Sequence, residues 1–308
     1  MELEMKILSF FRSISNTMLD NIFRLISFFG ESYFAMVIVF IIFFFIDKKK
    51  GYRLAYAVLL GTTFNNAIKG LIKRPRPWVL DPTFEPAEIA KPGATGYSFP
   101  SGHTQGISTL ATSVALNFRK KIIIALAIIF VLAVGFSRNF LGVHYPTDVL
   151  VGCIVGIVVS IFAYEIHRRV ESSFKKQFLT YLITVVVFAP FLFIFFEKDY
   201  ELMTWQKDFY VAWCMLFGLF LAYIIEAKFV QYEVSKRFII NLLRFIGCII
   251  TFAITYFGLK VLFGLSIFPQ DGNSFKRVLD GVRYFFVAFS CLGLYPLIFK
   301  NILFKKEQ

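Results

Sequence analysis

Histidine and cysteine are both scarce in this chain, and acidic residues are outnumbered by basic ones, 20 to 33. The four cysteines, Cys153, Cys214, Cys248 and Cys291, all fall inside apolar runs, and no CxxC or Cys/His spacing occurs. That pattern argues against a disulfide framework or a zinc site and leaves the thiols as small packing groups. A clean apolar run ending in a small-residue cleavage site is also missing from the start. Met1 to Asn21 mixes Glu2, Glu4, Lys6, Arg12 and Asp20 with apolar residues, so no cleavable signal peptide is expected.

What the chain has instead is hydrophobic length. Hydrophobic residues make up 57% of the 308, 41 of them Phe, and the mean hydropathy is +0.68. Soluble domains sit near ~45–50% apolar, so lipid is the expected main solvent. A net charge of +13 would suggest nucleic acid as partner to a soluble protein. Here the Lys and Arg cluster between long apolar runs, which membrane topology explains without any nucleic acid.

Apolar runs fall at 28–46, 52–71, 102–117, 121–137, 147–166, 178–196, 209–226, 238–263 and 278–299. The expected fold class is therefore all-α, a polytopic transmembrane bundle of about nine spans. Threading the chain back and forth puts the clusters at Lys48–Arg53, Arg119–Lys121, Arg168–Lys176, Lys228–Arg237 and Lys300–Lys306 on one side, the cytoplasmic one. Segment 1–27 is expected on the outer surface as an amphipathic stretch, with Phe10, Phe11, Met18, Ile22, Phe23 and Leu25 in the interface, or as a further, weakly apolar membrane element. The loop from Leu71 to Pro100 breaks the charge rule, for it lies outside and carries Lys73, Arg74, Arg76 and Lys91. An anionic ligand is the obvious account of cations on that side.

Three segments at the outer face carry chemistry. The first, Lys69-Gly-Leu-Ile-Lys-Arg-Pro-Arg76-Pro77, offers a mobile point charge and a planar fork suited to phosphate oxygens, although basic residues beside a span are common. The second, Tyr97-Ser98-Phe99-Pro100-Ser101-Gly102-His103, is a helix start. Its free N–H groups suit an anion and Gly102 lets the ligand approach, while a capped helix with an interfacial histidine fits equally well. In the third, Ser137-Arg138-x5-His144-x3-Asp148, Asp148 can reach back to His144, fix its tautomer and free the other nitrogen to attack. Standing alone, that segment reads by default as an aspartate cap near an unrelated histidine.

Together the three resemble the signature motifs of the type 2 phosphatidic acid phosphatase superfamily, with all eleven signature positions matched across residues 50–166. The resemblance implies a six-span-like helical core, a phosphohistidine intermediate, and neither cofactor nor metal. Carried onto these positions, His144 is the nucleophile, Asp148 orients it, and His103 protonates the leaving oxygen and then activates water. Lys69, Arg76, Ser101, Gly102 and Arg138 bind the phosphate. The expected partners are a phosphorylated lipid and the surrounding membrane lipids, in a bacterial plasma membrane with the site facing outward.

The expected organisation is an interfacial segment at 1–27, a phosphatase core at 28–196 and a membrane extension at 197–308 of no assigned role. Two other readings stay open: a phosphatase of soluble esters, like glucose-6-phosphatase, and a lipid binder or transporter that keeps the fold. Glu31 and Glu165 read as helix-end groups, His167 as a surface residue, and Arg244, Lys260 and Arg283 as snorkelling cations.

Overall fold

A computed structural model describes residues 1–194, 203–265 and 274–305. In chain order the helices are α1 (Glu2–Ser13), α2 (Thr17–Phe28), α3 (Ser32–Ile41), α4 (Lys48–Ile72), the short α5 (Pro77–Leu80), α6 (Gly102–Phe118), α7 (Lys121–Phe140) and α8 (Pro146–Val170). There follow α9 (Phe174–Phe188), the short α10 (Phe191–Ile194), α11 (Met203–Ile225), α12 (Phe238–Phe263), α13 (Ser274–Phe289) and the short α14 (Tyr295–Ile298). Among the described residues there are no strands, so the fold is all-α.

A helix stands at each of the nine apolar runs. Among the described residues six pass as membrane spans on length and hydropathy, and Thr17–Phe28 with Ser32–Ile46, bent by 42°, would be a seventh if the pair is one span. The runs at 52–71 and 102–117 do not pass. α6 has only 17 residues and opens with Gly-His-Thr-Gln, and α4 carries Asn65, Asn66 and Lys69 in its last turns. Polar groups that serve a site lower the hydropathy of the helices that hold it. The acidic-leaning stretch expected outside at 197–208 and the turn at 269–277 lie in part outside the described residues, which omit 195–202 and 266–273.

The chain divides into two compact units. The first, Met1–Met36 with Gly61–Tyr164, contains every signature motif. Its helices approach closely because α8 presents Gly152 and Gly156, a small-xxx-small pair, toward α6. A Cβ on Gly156 would sit 2.6 Å from Ser108 Cβ and 2.7 Å from Gln105 O. Gly156→Val is therefore expected to cost about 1–3 kcal/mol, read as a lowered Tm of the detergent-solubilised protein; an unchanged Tm would mean that α6 and α8 do not pack at this point.

The start of the chain forms two helices, not one surface stretch. Phe11 and Phe23 do not face outward: their rings pack on Phe136 and Phe140 of α7, at 5.3 and 4.1 Å between centroids. Phe10, Met18, Ile22 and Leu25 remain exposed, as an interfacial face requires.

The second unit, Val37–Leu60 with Glu165–Gln308, corrects three sequence readings. His167 is buried, its ring 4.8 Å from Tyr56 and 5.7 Å from Tyr181, because α8 runs on to Val170 and turns that position inward while Arg168 and Arg169 stay exposed. Arg244 does not snorkel. It is buried between Tyr232 and Phe304 and donates to the carbonyls of Leu303 at 2.7 Å and Glu233 at 2.9 Å. Arg283 is likewise buried, paired to Asp280 at 2.7 Å, whereas Lys260 is exposed. The four cysteines are free.

Candidate active site

The first motif lies at the C-terminal end of α4, where Lys69 donates to Tyr97 O at 2.8 Å and the helix stops at Ile72. Pro75 and Pro77 prevent its continuation, and the chain enters the loop with Arg76 buried. The loop is anchored by its own small core, in which Ala87, Ala90 and Ala94 pack on Leu141 and Val143 of the α7–α8 connection. Ala87 N–H also donates to Leu141 O at 3.0 Å. The first and third motifs are thereby brought together.

Arg76 is held by four acceptors. Nε donates to Gly96 O at 3.0 Å, Nη2 to Thr95 O at 2.8 Å, and Nη1 to Val143 O at 2.7 Å and to His144 Nε2 at 2.9 Å. Arginine can only donate, so Nε2 of His144 accepts, and the proton of the neutral ring belongs on Nδ1. Nδ1 faces Asp148 Oδ2 at 3.4 Å and Ser98 Oγ at 3.5 Å, distances that mark alignment more than firm hydrogen bonds. Burial, followed by the charges of Arg76, Lys69 and Arg138, holds the His144 imidazole well below its ordinary value, so it is neutral at pH 7.

Asp148 is fully buried in the first turn of α8. Tyr145 N–H donates to its Oδ2 at 3.0 Å and the Ser98 hydroxyl donates to the same oxygen, while Arg74 Nη1 donates to Oδ1 at 2.8 Å. Arg138, at the end of α7, is buried and donates from Nη1 to Ser27 Oγ at 2.5 Å. Its Nε and Nη2 have no hydrogen-bond partner among the described residues. A buried guanidinium with half its fork unmatched is costly unless an anion completes it.

The second motif opens α6. Ser101 caps the helix and accepts from Thr104 Oγ1 at 2.9 Å, and its N–H donates to Asp148 O at 3.0 Å. These groups cap the helix and tie it to α8. Gly102 is open on its Cβ side, where the nearest group is Asn65 Nδ2 at 3.9 Å. His103 points Nε2 at Glu31 Oε1, 3.2 Å away. Among the described residues, no three His, Cys, Asp or Glu side chains gather as metal ligands.

Residues 50–172 match the PAP2 superfamily, and residues 210–307 match the PAP2 superfamily phosphatase transmembrane extension. The undecaprenyl-diphosphatase BcrC of Bacillus subtilis is 32% identical over 49% of this chain and 76% of its own length. The chain belongs to the PAP2 superfamily. It is an integral membrane hydrolase of phosphoric esters or diphosphates, and residues 210–307 are the family's membrane extension. Another relative is the undecaprenyl-diphosphatase of Sulfolobus acidocaldarius, 29% identical over 51% of this chain and 77% of that one. The glucose-6-phosphatase catalytic subunit 1 of Haplochromis nubilus is 24% identical over 85% of both chains.

Four groups in this PAP2 site were not singled out from sequence. Glu31 is not a solvated helix end, because it lies beside His103 and within 3.5 Å of Arg24. A carboxylate between two apolar helices was the available signal. Arg74, one of the cations in the loop that breaks the charge rule, pairs with Asp148. Ser98 sits inside the second segment, and only folding shows its hydroxyl on Asp148. Glu4 carried no signal at all.

Proposed function

We propose that this PAP2 phosphatase hydrolyses a lipid phosphate or diphosphate through a phosphohistidine on His144, at the non-cytoplasmic face of a bacterial plasma membrane. The observation that carries the reading is the Arg76 hydrogen bond to His144 Nε2, which leaves the lone pair on the nitrogen directed away from Asp148.

In the first step Nε2 attacks phosphorus and the bond to the leaving oxygen breaks, with His103 giving that oxygen its proton. Asp148 stabilises the positive charge that develops on the ring. Water then attacks the phosphohistidine, His103 takes its proton, the N–P bond breaks and phosphate leaves. Lys69, Arg76, Arg138 and the Gly102 backbone spread positive charge around the phosphoryl oxygens, which is most of what phosphoryl transfer needs from a protein. Glu31 orients His103. The undecaprenyl-diphosphatase relatives support a lipid-linked substrate, and the cationic loop with the inward clusters elsewhere supports an outward-facing site.

Hydrolysis of a soluble ester is the second reading, favoured by the alignment to the glucose-6-phosphatase subunit along 85% of both chains. The test is phosphate release by the purified protein in detergent with EDTA, comparing phosphatidic acid, a polyprenyl diphosphate and glucose 6-phosphate. Turnover of a lipid in EDTA, well above that of the sugar phosphate, is expected. Preference for glucose 6-phosphate would select the second reading, and dependence on added metal would contradict the proposed mechanism.

A further inference from the structure

Glu4 lies in no motif, yet it ends within one side chain of the catalytic aspartate. Its Oε1 accepts from Thr147 N–H at 3.1 Å and from the Thr147 hydroxyl at 2.6 Å. Its Oε2 accepts from Arg74 Nη2 at 2.7 Å. The other terminal nitrogen of Arg74, Nη1, donates to Asp148 Oδ1. The guanidinium lies 3.8 Å from the ring centre of Tyr145, and little of it or of Glu4 is exposed. Burial would raise the Glu4 carboxyl, but the Thr147 hydrogen bonds and Arg74 outweigh it and hold the group below its ordinary value, so it is ionised at pH 7.

An arginine beside a carboxylate tends to take both oxygens with both of its terminal nitrogens. Arg74 does not, because one nitrogen is already engaged by Glu4. Asp148 therefore keeps Oδ2 for Tyr145 N–H, the Ser98 hydroxyl and Nδ1 of His144. We propose, on the reading that His144 is the nucleophile, that Glu4 is a positioning residue: by holding Arg74 Nη2 it restricts that arginine to one oxygen of Asp148 and reserves the other for His144. The N-terminal helix thus takes part in aligning the nucleophile. It is held in place by Leu8, which is buried against Phe84 and Tyr145. Its exposed Leu3 and Phe10, with Ile14 just past its end, leave the same helix open to the surrounding lipid.

The test uses the full chain in detergent, with whichever of the three substrates above turns over fastest, and reads kcat and KM separately. Glu4→Gln is expected to lower kcat about tenfold with KM unchanged, since a small misalignment of reacting groups is costly. In an Arg74→Lys background the ammonium has no fork to turn, so adding Glu4→Gln should change kcat by less than about twofold. Equal losses in both backgrounds would make Glu4 a docking residue only and overturn the proposal. So would an unchanged kcat, or a loss confined to KM. Should Glu4→Gln not fold, Glu4→Asp, which retracts the carboxylate by one methylene, reads the same coupling. His144→Ala run alongside separates the two claims. If it stays active, the nucleophile reading fails; if it is dead and Glu4→Gln matches wild type, only the role of Glu4 fails.

Discussion

His144→Ala is expected to lower phosphate release by about 10⁴-fold or more, because removing a nucleophile leaves only the catalysis that binding and electrostatics supply. Loss of activity alone would also follow from a distorted site, so the sharper measurement is the intermediate. Wild-type protein mixed with substrate carrying labelled phosphate and quenched in alkali should retain label on His144, as an N–P bond survives base and breaks in acid. The structure supports this nitrogen over the others. Nε2 is unprotonated because Arg76 donates to it, and burial with three neighbouring cations keeps the ring neutral. His103→Asn should then prolong the label when an activated aryl phosphate is the substrate, since such a leaving group needs no proton but water still needs a base. Label on another residue, or turnover by His144→Ala within about tenfold of wild type, would rule out the mechanism.

The parts legible in the sequence were those that depend on short spacing. A lysine and an arginine seven apart at a helix end, a proline and serine before a helix, and an aspartate four residues after a histidine all have local geometric meaning, and each lies where that meaning puts it. Apolar length located the helices, but hydropathy counts polar residues against a span whatever they do. α4 and α6 therefore fail the hydropathy and length test for a span, with Asn65, Asn66 and Lys69 in the one and His103, Thr104 and Gln105 in the other.

What escaped depends on long-range packing. Nothing near Glu4 in the sequence marks it for Thr147 and Arg74, some 143 and 70 residues away. Buried His167 was read as a surface residue and Arg244 as a snorkelling cation from their neighbours in sequence, although the aromatic rings that cover them come from distant parts of the chain. Ser101 shows the opposite case. The local signal for a helix cap is met by its hydroxyl oxygen, which accepts from Thr104, while the hydroxyl proton stays available to a phosphate oxygen.

Arg138→Ala should lower kcat/KM about 10³-fold, near the lower end for an arginine that stabilises a phosphoryl transition state. Its effect on stability is the more telling result. The side chain is buried, one nitrogen is satisfied by Ser27, and two have no hydrogen-bond partner among the described residues. Such a group is a liability to the resting fold. Removing it should leave Tm unchanged or raise it. Orthovanadate or inorganic phosphate should raise the Tm of the wild type, by linkage worth about 2.7 kcal/mol at a hundred times Kd, and should do so far less for the variant. Arg138→Lys should recover little, because an ammonium cannot replace two nitrogens of a planar fork. A variant that loses less than about tenfold in kcat/KM and still shows the full anion-induced shift would place the phosphate elsewhere. A Tm that collapses without anion would instead make Arg138 a structural partner of Ser27, with its unmatched nitrogens no longer pointing to a ligand.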